Sequence, residues 1–115
     1  MQPAQRTIAI TQDKIDSYGD INGDNDIIHY DHDYAVKRGF RGTLVHGPHL
    51  SALPCDLAFA AYGEDWLRKG RLRTKWIAPV CPGDQLVVAL SADGELIETV
   101  DGQAVVVGSA TIEEA

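Results

Sequence analysis

The segment that most limits the fold is Pro48–Tyr62, which reads Pro-His-Leu-Ser-Ala-Leu-Pro-Cys-Asp-Leu-Ala-Phe-Ala-Ala-Tyr. Placed on a helix, it is apolar on nearly every side, and a helix apolar all round requires burial all round. In a chain of 115 residues, with room for one core only, a sheet wrapped around the helix is the one available cover. Pro48 suits the first helical position. Pro54 does not, because inside a helix proline removes a hydrogen bond and crowds the preceding turn. Two arrangements remain open: a kink at Pro54, or regular hydrogen bonding that starts near Ser51.

The rest of the chain supplies material for such a sheet. Gln5–Thr11 reads as a short edge strand, and Thr11 as the N-cap of a helix that starts at Gln12. Gly19–Asp26 is rich in Gly, Asn and Asp and reads as a turn-forming loop. Asp31 is the expected N-cap of a second short helix, His32 to about Lys37, with Gly39 at its stop. After Gly70 the period changes to two. Arg71, Arg73 and Lys75 fall on one face of a strand and Leu72 and Trp76 on the other. Pro79–Asp84 is a turn, Leu86–Leu90 a strand apolar on both faces, and Asp93-Gly94 and Asp101-Gly102 are hairpin signals. The expected class is α+β: one strand, short helices, one central buried helix, then an antiparallel meander, as a single domain over residues 1–115.

Charge narrows the function. The net charge of −7 argues against nucleic acid and against anionic membrane surfaces as partners. All ten basic residues lie at or before Lys75, and five of them fall within Arg68–Lys75. A small anionic ligand can therefore be met locally by a protein that is acidic overall. No apolar run is long enough to cross a membrane, and Met1–Arg6 lacks the apolar core of a secretory signal. Cys55 and Cys81 form neither a CxxC nor a disulfide framework, which points to a reducing cytoplasm and two ordinary buried thiols.

Two stretches concentrate the polar chemistry: Gly23-Asp24-Asn25-Asp26-Ile27-Ile28-His29-Tyr30-Asp31, and Val45-His46-Gly47-Pro48. Together with Pro79-Val80-Cys81-Pro82-Gly83-Asp84 they resemble, in order and spacing, the MaoC-like (R)-specific enoyl-CoA hydratases. That family carries a Gly-Asp-x-Asn-Pro-aliphatic-His stretch, a His-Gly at the head of a central helix, and a Pro-Val-x-x-Gly-Asp turn before a long strand. Here Asp26 and Ile27 stand in place of the family's Asn and Pro, Asn22 in place of a small hydroxyl residue, and Pro48 in place of a bulky apolar one. The resemblance implies a hot-dog domain, an antiparallel sheet wrapped around a central buried helix. It also implies at least a homodimer, with a higher oligomer or a hot-dog heteromer as variants, and a ligand cleft at the subunit interface.

The resemblance further implies reversible hydration of trans-2-enoyl thioesters, with Asp24 and His29 activating water and Gly47 binding the thioester oxygen. Physical chemistry agrees with these assignments. Hydration needs an acceptor for the protons of water and a polarised carbonyl, and no cofactor or metal. Gly47 allows close backbone approach, and Pro48 has no N–H to compete with it. The substrate is an acyl-CoA or acyl-carrier thioester. Arginine forks suit the phosphates of coenzyme A, which makes Arg71, Arg73 and Lys75 the candidate contacts, and Asp26, beside the catalytic pair, is a further substrate-binding candidate. Two other enzyme or binding classes remain: a hot-dog thioesterase, and a non-catalytic acyl-CoA-binding subunit of a heteromer. Asp20-x-Asn22-x-Asp24-x-Asp26 imitates a calcium loop but has Asn25 where that loop needs glycine, and Asp31 where it needs a bidentate glutamate. His29-x-x-His32 and His46-x-x-His49 have zinc-like spacing, but the second straddles Gly47-Pro48 and lacks helical support.

Overall fold

A computed structural model describes residues 1–113. The strands are β1 (Ala4–Ala9), β2 (Gly70–Trp76), β3 (Gln85–Leu90), β4 (Glu95–Val100) and β5 (Gln103–Ile112). The helices are α1 (Gln12–Asn22), α2 (His32–Lys37), α3 (Gly47–Ala52), α4 (Cys55–Tyr62) and α5 (Glu64–Lys69), with a single 3₁₀ turn at Ile27–His29. All strand pairs are antiparallel, in the order β1-β3-β4-β5-β2.

The expected meander holds for β3, β4 and β5 only. β2 pairs with β5 at the far edge, so the connection Ile77–Asp84 must run back across the sheet to β3. It is held there by Val45 N–H on the Val80 carbonyl (2.9 Å) and by the burial of Val80 and Cys81. The β4–β5 hairpin closes through Asp101 (φ 50°) and Gly102 (φ 78°), a pair of positive φ angles that matches the right-handed twist of the strands. A register shift at Glu98/Thr99 leaves Val105 out of the ladder. Val105 and Val106 are both buried as a result, and the Val105 carbonyl accepts from Ile77 (2.8 Å).

One face of the sheet carries the core. Ile8, Leu86, Val88, Leu96, Val105 and Val106 pack there with Ile15, Leu50 and Val80, and a satellite cluster joins Ala58, Leu90 and Ala110. The helical segment breaks at Leu53-Pro54 into α3 and α4, which decides the question left open at Pro54 in favour of the kink. Its burial is one-sided. Leu50, Pro54 and Ala58 are covered by the sheet, whereas Phe59 is 46% exposed. One sheet can shield only one side of a helix, so all-round burial is not achieved within a single chain. Cys55 is likewise half-buried rather than buried.

Two further features depart from the sequence reading. α1 runs on to Asn22, where a loop was expected from Gly19. Gly23 in the left-handed region (φ 78°) then ends it, with its N–H on the Gly19 carbonyl (2.8 Å). The cations Arg68 and Lys69 belong to a helix, α5, that the sequence did not announce.

Candidate active site

The loop after α1 is built from side chains that cap backbone. Asn22 Oδ1 accepts from Asp24 N–H (2.9 Å), Asp24 Oδ1 from Asp26 N–H (3.0 Å), and Asp26 Oδ1 from Ile28 N–H (3.0 Å). This run of Asx turns, rather than a calcium loop, is what the acidic stretch forms. It commits one oxygen of Asp24 and leaves the other, Oδ2, 3.4 Å from His29 Nε2. The Asp26 N–H, with the imidazoles of His29 and His46 adding to it, holds the Asp24 carboxyl below its ordinary value.

His29 sits in the 3₁₀ turn that Asp26 caps, and its Nδ1 lies 2.8 Å from the Leu44 carbonyl. A carbonyl only accepts, so Nδ1 carries hydrogen, and Nε2 is the ring nitrogen that faces Asp24. His46 stacks on His29 with ring centroids 3.8 Å apart. Tyr30 donates its one hydroxyl hydrogen to the backbone carbonyl of Asp24, and His46 Nε2 lies 3.1 Å from the same hydroxyl. His46 is therefore the donor in that second bond, and its buried Nδ1 is left without a partner among the described residues. Burial keeps the His46 imidazole below its ordinary value and the Tyr30 phenol above it.

His46 and Tyr30 thus tie the Asp24 loop to the head of α3, and neither was assigned a role from sequence. Their signal was adjacency alone: Tyr30 follows His29, and His46 precedes Gly47. Gly19 completes the arrangement, since a Cβ there would lie 1.9 Å from the Tyr30 hydroxyl. Gly19→Ala is expected to displace Tyr30, free the Asp24 loop and leave the His46 Nε2–H unsatisfied. Losing that buried bond should cost about 1–3 kcal/mol in chemical denaturation, with Tyr30→Phe showing a cost of the same order. Unchanged denaturation curves for both variants would show that the tie is not made.

Gly47 opens α3, and no carbonyl among the described residues accepts from its N–H. A Cβ there would lie 2.6 Å from the Trp76 ring, so glycine is the residue that lets β2 close against α3. Trp76 Nε1 donates to Ser51 Oγ (2.9 Å), which also bonds Thr74 Oγ1 (2.8 Å). Thr74 and Trp76 face α3, so Arg71, Arg73 and Lys75 point to the other face of the edge strand. Arg71 pairs with Glu113 (2.8 Å). The structure brings Asp24 and His29 together and does not place these three cations beside them. Asp26 lies next to the pair as the donor that holds Asp24 and as the cap of the 3₁₀ turn. Of the other histidines, His32 is exposed and His49 stacks on Tyr18 (4.4 Å). Among the described residues, the group able to offer ligand atoms to a metal is Asp24, His29 and His46, all within 4.8 Å, and not the two sequence pairs. A 630 Å³ groove lies elsewhere, against Gln5, Ala89, Ile97 and Val107, which alternate with the buried residues of their strands.

A family model described as a MaoC like domain matches residues 1–115. The chain belongs to the MaoC-like family. Its fold is the hot-dog fold, as in several solved structures. An (R)-hydratase from A. caviae involved in PHA biosynthesis superposes with a TM-score of 0.73 at 19% identity, covering 95% of this chain and 91% of the other. The R-hydratase PhaJ1 of Pseudomonas aeruginosa gives 0.68 at 25% identity, with 98% and 81% covered. The ChsH1-ChsH2 complex of Mycobacterium tuberculosis gives 0.68 at 16% identity, with 96% and 94% covered. A search of curated proteins by sequence returned no match. Among the described residues, no helix is long and apolar enough to cross a membrane.

Proposed function

We propose that this MaoC-like chain adds water to trans-2-enoyl thioesters, or removes it from the matching (R)-3-hydroxyacyl thioesters. The observation that carries the reading is the pairing of Asp24 Oδ2 with His29 Nε2, 3.4 Å apart and each side chain fixed from behind by a backbone bond; in the neutral tautomer of His29 both atoms are acceptors. A water between them can donate a hydrogen to each, which turns its oxygen lone pairs outward for attack.

In the forward direction the water oxygen bonds to the β-carbon as the pair takes up its proton. The C=C electrons move onto the thioester oxygen, and the Gly47 N–H bonds the enolate so formed. The proton held by the pair then returns to the α-carbon, and no cofactor enters the cycle. The substrate is an acyl-CoA or acyl-carrier thioester, and a cytoplasmic setting fits two free cysteines. Coenzyme A is long, so its phosphates lie far from the reacting carbons. Arg73 and Lys75 on the edge strand are the proposed contacts, through charge rather than through the catalytic pair. The open side of α4 around Phe59 fits a second copy of the chain, or a related hot-dog chain, completing the burial.

Loss of the conjugated enoyl absorbance tests the reading, over short, medium and aromatic enoyl-CoAs with thiol release followed in parallel. Hydration predicts loss without free thiol. Free thiol would instead establish a thioesterase on the same fold. No turnover and no partner-dependent turnover would leave a binding subunit.

A further inference from the structure

Glu98 lies at the centre of the sheet, on the core side. Its cross-strand neighbours are Val88 on β3 and Val106 on β5, and all three are wholly buried. No protein donor among the described residues reaches either carboxyl oxygen. An acid set between two valines without a partner is costly, and an aliphatic side chain would fill the position better.

The row that holds Glu98 leads to the candidate site. Val106 is paired on its other side with Trp76, whose ring lies against Gly47. Two inter-strand spacings, roughly 9–10 Å, therefore separate the Glu98 and Trp76 backbones on the face that carries α3. An acyl chain whose thioester oxygen is held at Gly47 and which runs between α3 and the sheet meets Glu98 several carbons from the carbonyl. In the other direction along the row, past Val88, stands Arg6, which is paired with Asp56 and so is not the partner of Glu98.

We propose that Glu98 is a specificity-determining residue that hydrogen-bonds a neutral polar group, a hydroxyl or a carbonyl, on the acyl chain of the substrate. This rests on the hydratase reading for where the thioester sits, but not on turnover. Burial pushes the Glu98 carboxyl up to about 8, so at neutral pH it is protonated and can both donate and accept. A purely apolar acyl chain would leave it as unpartnered as it is now, whereas a hydroxyl or keto group would satisfy it.

The test is calorimetric binding of saturated acyl-CoAs, which cannot react, in pairs of equal length with and without a mid-chain hydroxyl. The wild type is expected to bind the hydroxylated member about tenfold more tightly, which is one buried hydrogen bond. Glu98→Leu should abolish or reverse that preference while keeping its affinity for the plain chain. Glu98→Gln, which keeps the shape and the hydrogen-bonding atoms, should retain most of it. Equal binding of both members by the wild type, or an unchanged preference in folded Glu98→Leu, would overturn the proposal. So would a wild type that binds neither. Hydration assays run beside it separate the two readings: discrimination without turnover would sink the hydratase and keep the role of Glu98, and turnover without discrimination the reverse.

Discussion

Glu98→Gln is expected to be more stable than the wild type by about 3 kcal/mol at pH 7 and by about 5 kcal/mol at pH 9, with little difference at pH 4. The sign follows from burial. The carboxyl is raised in the folded protein from its ordinary 4.5 to about 8, so the native state holds a proton that the unfolded chain has released. Stability due to this group is complete below pH 4.5, declines as the pH rises toward 8, and is level above it. Among the described residues, no charge nearby offsets this. Val88 and Val106 flank Glu98, and Arg6, further along the row, is engaged by Asp56. Urea titrations of both proteins at pH 4, 7 and 9 measure the effect. Parallel stability curves across that range would show that Glu98 meets a donor and stays charged. A wild-type protein that loses stability toward alkaline pH, with a variant that does not, is the expected pattern.

Asp24→Asn is expected to lower kcat by roughly 10²–10⁴-fold, the usual worth of a positioned acid–base group, while the fold is retained. The choice of asparagine is structural. Its Oδ1 still accepts the Asp26 N–H, so the run of Asx turns and the 3₁₀ turn carrying His29 are preserved. What is lost is the carboxylate oxygen facing His29 Nε2, replaced by an amide that donates where an acceptor is needed. Enoyl-CoA hydration by both proteins, with circular dichroism as the control for folding, decides the matter. A folded variant with full activity would remove Asp24 from the mechanism. Because Asp24 is held below its ordinary value of 3.8, its protonation should affect kcat/KM only below that pH. An acid limb at higher pH belongs to another group.

Much of this protein could be read from residues whose meaning is local. Thr11 and Asp31 cap the helices they were expected to cap, accepting from Lys14 and Tyr34 N–H. Asp101-Gly102 makes the tight hairpin its φ preferences demand. Asp24 and His29, five apart, meet because a short capped turn lies between them. Capping, turn chemistry and strand alternation act over a few residues, so the sequence alone determines them.

Contacts between distant residues were decided only in the folded molecule. β2 pairs with β5 rather than β3, because pairing depends on which edges the packed core leaves open and not on order along the chain. His46 and Tyr30 joined the site through stacking and hydrogen bonds across sixteen residues of sequence. Arg71, Arg73 and Lys75 alternate as expected, yet the face they occupy was fixed by Thr74 and Trp76 closing on Ser51. Glu98 carries no mark in the sequence that sets it apart from the other acids of residues 76–115. It is buried because the period-two pleat aligns it with Leu96 and Val100, and the helices lie on that side of the sheet.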